Sequence, residues 1–160
     1  MATNIIKTAD SVSARMAECY ATINGTRYNF AQIVNAEFKT TKKKGSIPRM
    51  GAIMDGHRSY GMEGTFSGTM IYNQSVTRQM VQSFKNSGVD TYFDVQVIND
   101  DPASEVGRMS ITYFGCNTDE DILSKFNAAT DSEYLDEDIS GTFEDFNINQ
   151  GFSEYPGFRA

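Results

Sequence analysis

Residues 18–38 read ECYATINGTRYNFAQIVNAEF, and this stretch shows the pattern that dominates the chain. Apolar and polar residues alternate on both sides of Asn24-Gly25, the dipeptide that most strongly favours a two-residue β-hairpin turn. The alternation continues beyond Phe30, which predicts a hairpin followed by a long strand with one solvent-exposed face. The two faces predicted for that strand carry Phe30, Val34, Ala36 and Phe38 on one side and Asn35, Glu37 and Lys39 on the other.

The alternation of apolar and polar residues returns in the rest of the chain, where one helical segment interrupts it. In 61–72 the alternation includes Gly64 and Gly68, and glycines inside a strand indicate a bulge or the close approach of another backbone. One amphipathic helix is predicted between Ser75 as N-cap and Gly88 as stop signal. Its apolar stripe consists of Val76, Met80, Val81 and Phe84. Further strands are predicted at 91–98, 108–115, 121–126 and 134–148, the last two as an acidic pair.

This order of elements predicts a mainly β fold with one α-helix, built as a sandwiched or closed antiparallel sheet. The 160 residues suggest a single domain over 1–160. With 39% hydrophobic and 22% charged residues, the chain is typical of a folded globular protein. No apolar run approaches the ~20 residues of a membrane-spanning helix, and residues 1–10 lack the features of a secretory signal. The cytosol is therefore the expected compartment.

Charge is unevenly distributed along the chain, which has a formal net charge of −7. The acids dominate the second half, whereas basic residues gather in 42–61, a segment whose lysines, glycines and proline predict a long loop. Nucleic-acid binding is disfavoured because the net charge repels phosphate and no aromatic residues interleave with the lysines. A protein contact is favoured over a plain solvated loop. The residues proposed for this contact are Lys42, Lys43, Lys44, Arg49, His57 and Arg58.

The sequence carries no pattern typical of catalysis or metal binding, and no cofactor is expected. His57 is the sole histidine and has no second ligand-type residue nearby in the sequence. Cys19 and Cys116 are far apart and are interpreted as reduced, structural thiols. The acidic groups 119–121 and 100–105 lack the Gly and distal Glu of a calcium loop and are interpreted as solvated faces. The glycines of 61–68 have the wrong spacing for a phosphate loop.

The segment 56–65, GHRSYGMEGT, followed by a strand and an amphipathic helix, resembles the tail tube proteins of PBSX-like prophages, R-type bacteriocins and related contractile tails. The stretch 88–101 resembles that family's next strand and acidic turn, and 142–146 resembles its closing strand. The similarity spans about residues 40–150 and depends on the order and spacing of these motifs.

This resemblance implies a β-sandwich or split barrel that is completed by assembly into hexameric rings, which stack into a hollow tube. The implied partners are further copies of the chain, a tail sheath protein, a tape-measure protein, and baseplate and tail-terminator proteins. DNA or ions would pass through without specific binding, in a phage-like tail assembled in the bacterial cytoplasm. Segment 42–61 then becomes an inter-ring loop and 149–160 a flexible tail. The acids expected to face the lumen are Glu37, Glu63, Asp136 and Asp138.

Several alternatives remain open at this point. The tube could belong to a type VI secretion system or a non-contractile tail, and the particle could carry DNA or be a headless bacteriocin. A monomeric β-barrel could instead bind a small apolar ligand with Phe66, Met70 and Tyr72. A hydrolase would need turnover that is lost when His57 is replaced.

Overall fold

The computed structural model describes residues 7–129, 134–155 and 158–159, which form eight β-strands and one α-helix. In chain order the elements are β1 (Ala17–Ile23), β2 (Thr26–Asn29), β3 (Ile33–Ile47), β4 (Gly56–Ile71), α1 (Val76–Ser87), β5 (Phe93–Asp100), β6 (Arg108–Glu120), β7 (Asp136–Phe143) and β8 (Asp145–Gln150). The hydrogen-bonding order is β2-β1-β5-β6-β7-β4-β3, and β8 also pairs with β6. The class expected from the sequence, mainly β with one helix, is confirmed.

The described residues divide into two compact units. Unit 1 comprises the described residues of 1–31, 93–114 and 146–160, and unit 2 those of 32–92 and 115–145. Strand β6 contributes residues to both units. The prediction of a single domain over 1–160 is not tested by this division and stays a prediction.

Unit 1 is built on the hairpin that its sequence predicts. Asn24 and Gly25 have φ angles of 50° and 81°, the left-handed pair that a type I′ turn requires between β1 and β2. On its other edge, β1 pairs antiparallel with β5 from Ala17–Asn99 to Thr22–Asp94. The buried apolar side chains of this unit are Ala21, Ile23, Phe30, Phe93, Val95, Ile98 and Val106.

Unit 2 is an antiparallel sheet in which phenylalanine rings lie across glycines. Gly64 pairs with Phe143, and Phe66 pairs with Gly141, so each ring covers the bare backbone of the neighbouring strand. The Phe38 and Phe66 rings stack with centroids 5.4 Å apart. At Gly68 a Cβ would lie 2.5 Å from the Asn35 carbonyl oxygen, which confirms the close approach predicted for the glycines of this strand.

Helix α1 begins and ends at the predicted cap residues, but its first turn is capped by a different side chain. Gly88 has a φ of 73° and its N–H donates to the Phe84 carbonyl, the expected left-handed C-cap. Ser75, expected as the N-cap, makes no side-chain hydrogen bond to the helix. The neighbouring Gln74 replaces it, because its Oε1 accepts from the Val76 N–H at 2.7 Å.

Three other expectations about the strands are corrected. Val34 is left out of the ladder by a bulge between Ile33 and Asn35 and is exposed, so it does not continue the apolar face. Residues 121–126 form no strand, since β6 ends at Glu120. The segment 134–148 is instead two strands, β7 and β8, and the latter runs into the proposed flexible tail as far as Gln150. Within that tail, Pro156, Gly157 and Ala160 lie outside the described residues.

Candidate assembly surfaces

The longest feature of unit 2 is the hairpin formed by β3 and β4. The two strands pair from Ile33–Met70 to Ile47–Gly56, over 15 and 16 residues. Strand β7 pairs with β4 only between Gly64 and Ile71, so the outer part of the hairpin has two strands. Every side chain of residues 40–63 is at least partly exposed, on both faces of the ribbon. We call this outer part, residues 40–63, the distal hairpin.

The distal hairpin contains all six basic contact residues expected from the sequence, but not in a loop. Residues 42–47 belong to β3 and 56–61 to β4, so the predicted loop over 42–61 shrinks to 48–55. The prediction was wrong because a strand exposed on both faces shows no apolar alternation and its lysines and glycines resemble a loop. Lys43 pairs with Glu63 at 2.5 Å, and Arg49 donates to the Met54 carbonyl across the turn.

The turn of this hairpin exposes apolar side chains among the cations. Met50 and Ile53 are fully exposed, Met54 is 77% exposed and Ile47 is 44% exposed. Among the described residues, Lys42, Lys44 and Arg58 have no ion-pair partner. An exposed surface that is both apolar and basic is typical of an interaction site. We call residues 42–58 the hairpin tip.

The four acids expected to face a lumen lie on one face of the sheet of unit 2. Glu37 is paired with Ser67, and Glu63 lies four residues before Ser67 on β4. Thr69 pairs with Asp138 and donates a 2.9 Å hydrogen bond to it, while Asp136 lies two residues before Asp138 on β7. Since side chains alternate across a strand, this register places all four on the same face. The neighbours on this face include Thr65, Ser67, Thr69, Ser140 and Thr142.

Two of these four acids are locally neutralised. Glu63 pairs with Lys43, and Asp136 accepts from Lys125 Nζ at 3.3 Å. Among the described residues, Glu37 and Asp138 have no ion-pair partner. Lys39 pairs with Thr65 and lies on this face as well, so the face is rich in hydroxyl groups and carries charges of both signs.

The opposite face of the sheet carries an ion pair that the sequence did not reveal. Arg78 of α1 pairs with Glu137 of β7 at 2.6 Å, and the Glu137 side chain is only 3% exposed. Arg78 also donates to the carbonyls of Gln74 and Leu123 and lies 4.3 Å from the Tyr72 ring centroid. Burial raises the pKa of Glu137, and the Arg78 charge opposes that rise. The pair anchors α1 to the sheet.

A groove in unit 2 lies between α1 and the end of β6. It has a volume of about 280 Å³. One wall is apolar, with Met80, Val81, Phe84 and Leu123, and the other is polar and acidic, with Asp90, Thr91, Asn117, Thr118, Asp119 and Asp121. Phe84 is 48% exposed and Leu123 is 64% exposed. We call this feature the acidic groove.

Within the described part of the chain, the three acids of the acidic groove have no ion pair, while Asp90 and Asp121 have hydrogen-bond partners. Asp90 accepts from Asn117 Nδ2 at 2.6 Å, and Asp121 accepts from the Thr118 hydroxyl at 2.8 Å. Burial raises the pKa of Asp121, the Thr118 hydrogen bond lowers it, and the Asp90 carboxylate raises it. An added cation would relieve this repulsion between carboxylates.

The acidic groups 119–121 and 100–105 were expected to be solvated faces, and the structure corrects one of their members, Asp101; Glu137, in the segment predicted as an acidic strand, is buried as well. Asp101 is buried in unit 1, where its carboxylate accepts from the backbone N–H groups of Ser13 and Ala103. Glu137, on the acidic segment of β7, is buried against Arg78. In each case a local partner compensates for burial of a charge, and strand alternation alone gives no sign of that partner.

The residues considered for enzymatic or ligand-binding functions do not line the acidic groove. His57 is exposed on β4 opposite Ser46. Phe66 and Met70 are buried in the core, and Tyr72 stacks against Arg78, so none of them lines the acidic groove. Cys116 is buried, and burial raises the pKa of Cys19 to about 11, which keeps it a thiol at neutral pH.

The described residues contain neither a metal-binding cluster nor a membrane-spanning helix. Residues 7–129, 134–155 and 158–159 hold no group of three or more His, Cys, Asp or Glu side chains placed to bind a metal. Within the described residues, no helix is long and apolar enough to cross a membrane.

Comparison with known proteins gives a family match and two curated relatives. Residues 4–149 match the family described as Phage tail tube protein. The Phage-like element PBSX protein XkdM of Bacillus subtilis (strain 168) is 31% identical over 124 residues, which cover 78% of this chain and 83% of that protein. The Uncharacterized protein YqbM of the same strain is 31% identical over 118 residues, which cover 74% of this chain and 79% of that protein.

Among solved structures, the fold is similar to that of a chain in the cryo-EM structure of the anti-feeding prophage (AFP) baseplate, 6-fold symmetrised. The TM-score is 0.66 at 9% identity, and the match covers 86% of this chain and 95% of that chain. At that identity the likeness concerns the fold alone, and it agrees with the fold expected from the sequence.

Proposed function

Because this chain belongs to the phage tail tube protein family, we propose that it is the inner-tube subunit of a contractile phage-like tail. The family makes it a structural tail protein. Our proposal adds that copies close into hexameric rings, that rings stack into a hollow tube, and that a sheath surrounds this tube.

The distal hairpin is the observation that best supports this assembly. A two-stranded ribbon without a buried side chain is marginally stable alone in water, and its free edges invite pairing with another strand. Both problems are solved when the ribbon joins a larger sheet contributed by neighbouring copies. A closed ring also leaves no free sheet edge. The anti-feeding prophage baseplate is 6-fold symmetrised, so a ring of six is the assembly to test first.

We propose that the face with Glu37, Asp138 and the hydroxyl side chains lines the lumen. Ser and Thr hydroxyls keep the wall hydrated, and Lys39 and Lys43 share this face with Glu37 and Glu63, so a polyanion meets no surface of cations alone. Six copies at −7 each would carry about −42 in a ring, which repels phosphate wherever that charge faces inward. DNA or ions would therefore slide past without a binding site. In this proposal the outer face meets the sheath, the lumen holds a tape-measure protein during assembly, and baseplate and tail-terminator proteins close the two ends.

Electron microscopy of the purified chain in negative stain tests the proposal directly. We expect rings or tubes with a central hole and, in gel filtration, species larger than a monomer. A chain that stays monomeric at high concentration would contradict the proposal. Ligand-dependent stabilisation of that monomer would then favour a small-ligand-binding barrel.

Two other tubes, that of a type VI secretion system and that of a non-contractile tail, would share the same lumen. Co-purification with a sheath protein from the producing bacterium separates a contractile from a non-contractile tail. We expect the sheath to be retained on the tube, and tubes recovered without any sheath would argue for a non-contractile tail.

A further inference from the structure

The hairpin tip and the acidic groove are complementary in charge and in polarity. The tip carries five Lys and Arg side chains and one acid, Asp55. The acidic groove carries three aspartates and, in the described residues, none of them is ion-paired. Each surface also exposes apolar side chains beside its charges, Met50 and Ile53 on the tip and Phe84 and Leu123 in the groove.

The turn of the hairpin tip, residues 48–55, cannot reach the acidic groove of its own chain. Thr118 at the groove pairs with Gly141, which in turn pairs with Phe66 of β4. Gly56 is the first residue of β4 after the turn, and Phe66 lies ten residues further along that strand. Ten extended residues span about 33 Å. Because β3 and β4 remain paired to Ile47–Gly56, the ribbon cannot fold back over that distance.

The size of the acidic groove also points to side chains as its occupant. Its volume of about 280 Å³ lies just below the range of small-molecule sites, which is roughly 300–1,000 Å³. It is suited to one or two apolar side chains with a cation beside them. Methionine fits such an irregular gap well, because it is unbranched and polarisable.

We propose that the hairpin tip of one copy docks in the acidic groove of a second copy. Met50 or Ile53 packs against Phe84 and Leu123, and tip cations such as Lys44 pair with Asp119 and its neighbours. This inference rests on the proposed tube, in which it is a contact between copies in successive rings. It adds the receiving surface, made by α1 and the end of β6.

Disulfide trapping tests the contact. In the double variant Ile53→Cys with Leu123→Cys, both positions are exposed, so we expect the fold to be retained. Oxidised tubes of this variant should give a ladder of cross-linked chains on a non-reducing gel. Each single variant should give no ladder, since Cys116 is buried and Cys19 is a thiol with a raised pKa.

Charge reversal gives a second, independent readout. Asp119→Lys alone, and Lys42→Glu with Lys44→Glu alone, should each raise the concentration needed for tube growth by about tenfold, as expected for a lost interfacial ion pair. Combining them should restore growth. Glu105→Lys, which makes the same charge change at an exposed site of unit 1, should have no such effect.

The outcomes separate this inference from the proposed function. A ladder together with rescue by the combined reversal supports tip-in-groove docking. Tubes that form normally, give no ladder and tolerate Asp119→Lys overturn the docking and leave the tube intact. If the unmodified chain forms neither rings nor tubes, both proposals fail.

Discussion

Glycines beneath phenylalanine rings determine how tightly the sheet of unit 2 can pack. A Cβ at Gly64 would collide with the Phe143 ring, which is in the core and has nowhere to move. We expect Gly64→Ala to lower the free energy of unfolding by about 1–3 kcal/mol, a typical cost of overpacking. Chemical denaturation of the unassembled chain measures this loss.

Gly61 provides a matched control on the same strand. Its Cβ would meet only the flexible Lys43 side chain, at 3.7 Å. Gly61→Ala should therefore change the free energy of unfolding by less than about 0.5 kcal/mol. Equal losses for the two variants would show that the ring contact does not limit the packing.

The buried Glu137 makes stability depend on pH in a defined direction. Its pKa is raised in the folded state, so between the ordinary value of 4.5 and the raised value the folded chain holds a proton that the unfolded chain has lost. The stabilisation from this group is complete below pH 4.5 and is lost as the pH rises through the folded pKa.

Glu137→Gln cannot titrate and should lack this dependence. Denaturation of both chains between about pH 4 and about pH 7 should show the unmodified chain losing stability relative to the variant as pH rises. Asp121 titrates in both chains, and its carboxylate is one of the causes of the raised pKa of Glu137. Parallel profiles would mean that Glu137 has no raised pKa.

For single residues, the sequence predicted the structure wherever a backbone geometry favours one type of residue. Asn24-Gly25 predicted its turn, and the in-strand glycines predicted close approach, because only glycine satisfies those geometries. The partner of Glu137 was not predictable, since Arg78 lies 59 positions away on a different element. An acid on a strand of acids resembles a solvated one until the fold brings a cation to it.

The distal hairpin should be dispensable for folding and required for assembly. Replacing residues 44–60 with Asn-Gly would join Lys43 to Gly61, which are already paired across the ladder. No buried side chain is removed, so the melting temperature of the monomer should change little. Ring and tube formation should be abolished, as judged by negative-stain microscopy. Tubes that still form without the distal hairpin would contradict its proposed role.

Elements with one buried face were predictable from the sequence, and elements exposed on both faces were not. Strand β1 and the start of β5 show the expected periodicity because the buried residues of each lie on one side. The outer halves of β3 and β4 are exposed on both faces, so their polar residues resembled a loop. These residues form strands because β3 and β4 pair with each other, and a sequence pattern read over a few residues does not detect that pairing.

Assembly of the whole molecule should weaken with salt. The surfaces proposed to meet are a basic tip and an acidic groove, and exposed charges are screened over ~10 Å at 0.1 M salt and ~3 Å at 1 M. Tube yield measured by sedimentation should fall as NaCl is raised, while the thermal stability of the monomer stays nearly constant. Tubes that grow equally well at both salt concentrations would indicate that apolar contacts dominate.

The architecture of the assembly was reached through family resemblance rather than through the physics of one chain. The sequence places a cluster of cations in 42–61 and most acids in the second half, and the structure locates those cations on the hairpin tip. The acceptor surface was not predictable, because Phe84 and Asp119 are 35 positions apart and become neighbours only when α1 lies beside β6.

The hairpin tip and the acidic groove are different patches on the same molecule, and this has a consequence for particle length. A contact between unlike patches is not self-complementary, so each ring that uses its tips still presents empty grooves to the next arrival. Growth by this rule has no natural stopping point. A tail of fixed length therefore requires one protein that sets its length and another that blocks further growth. A producing cell that lacks them should accumulate filaments of widely varying length.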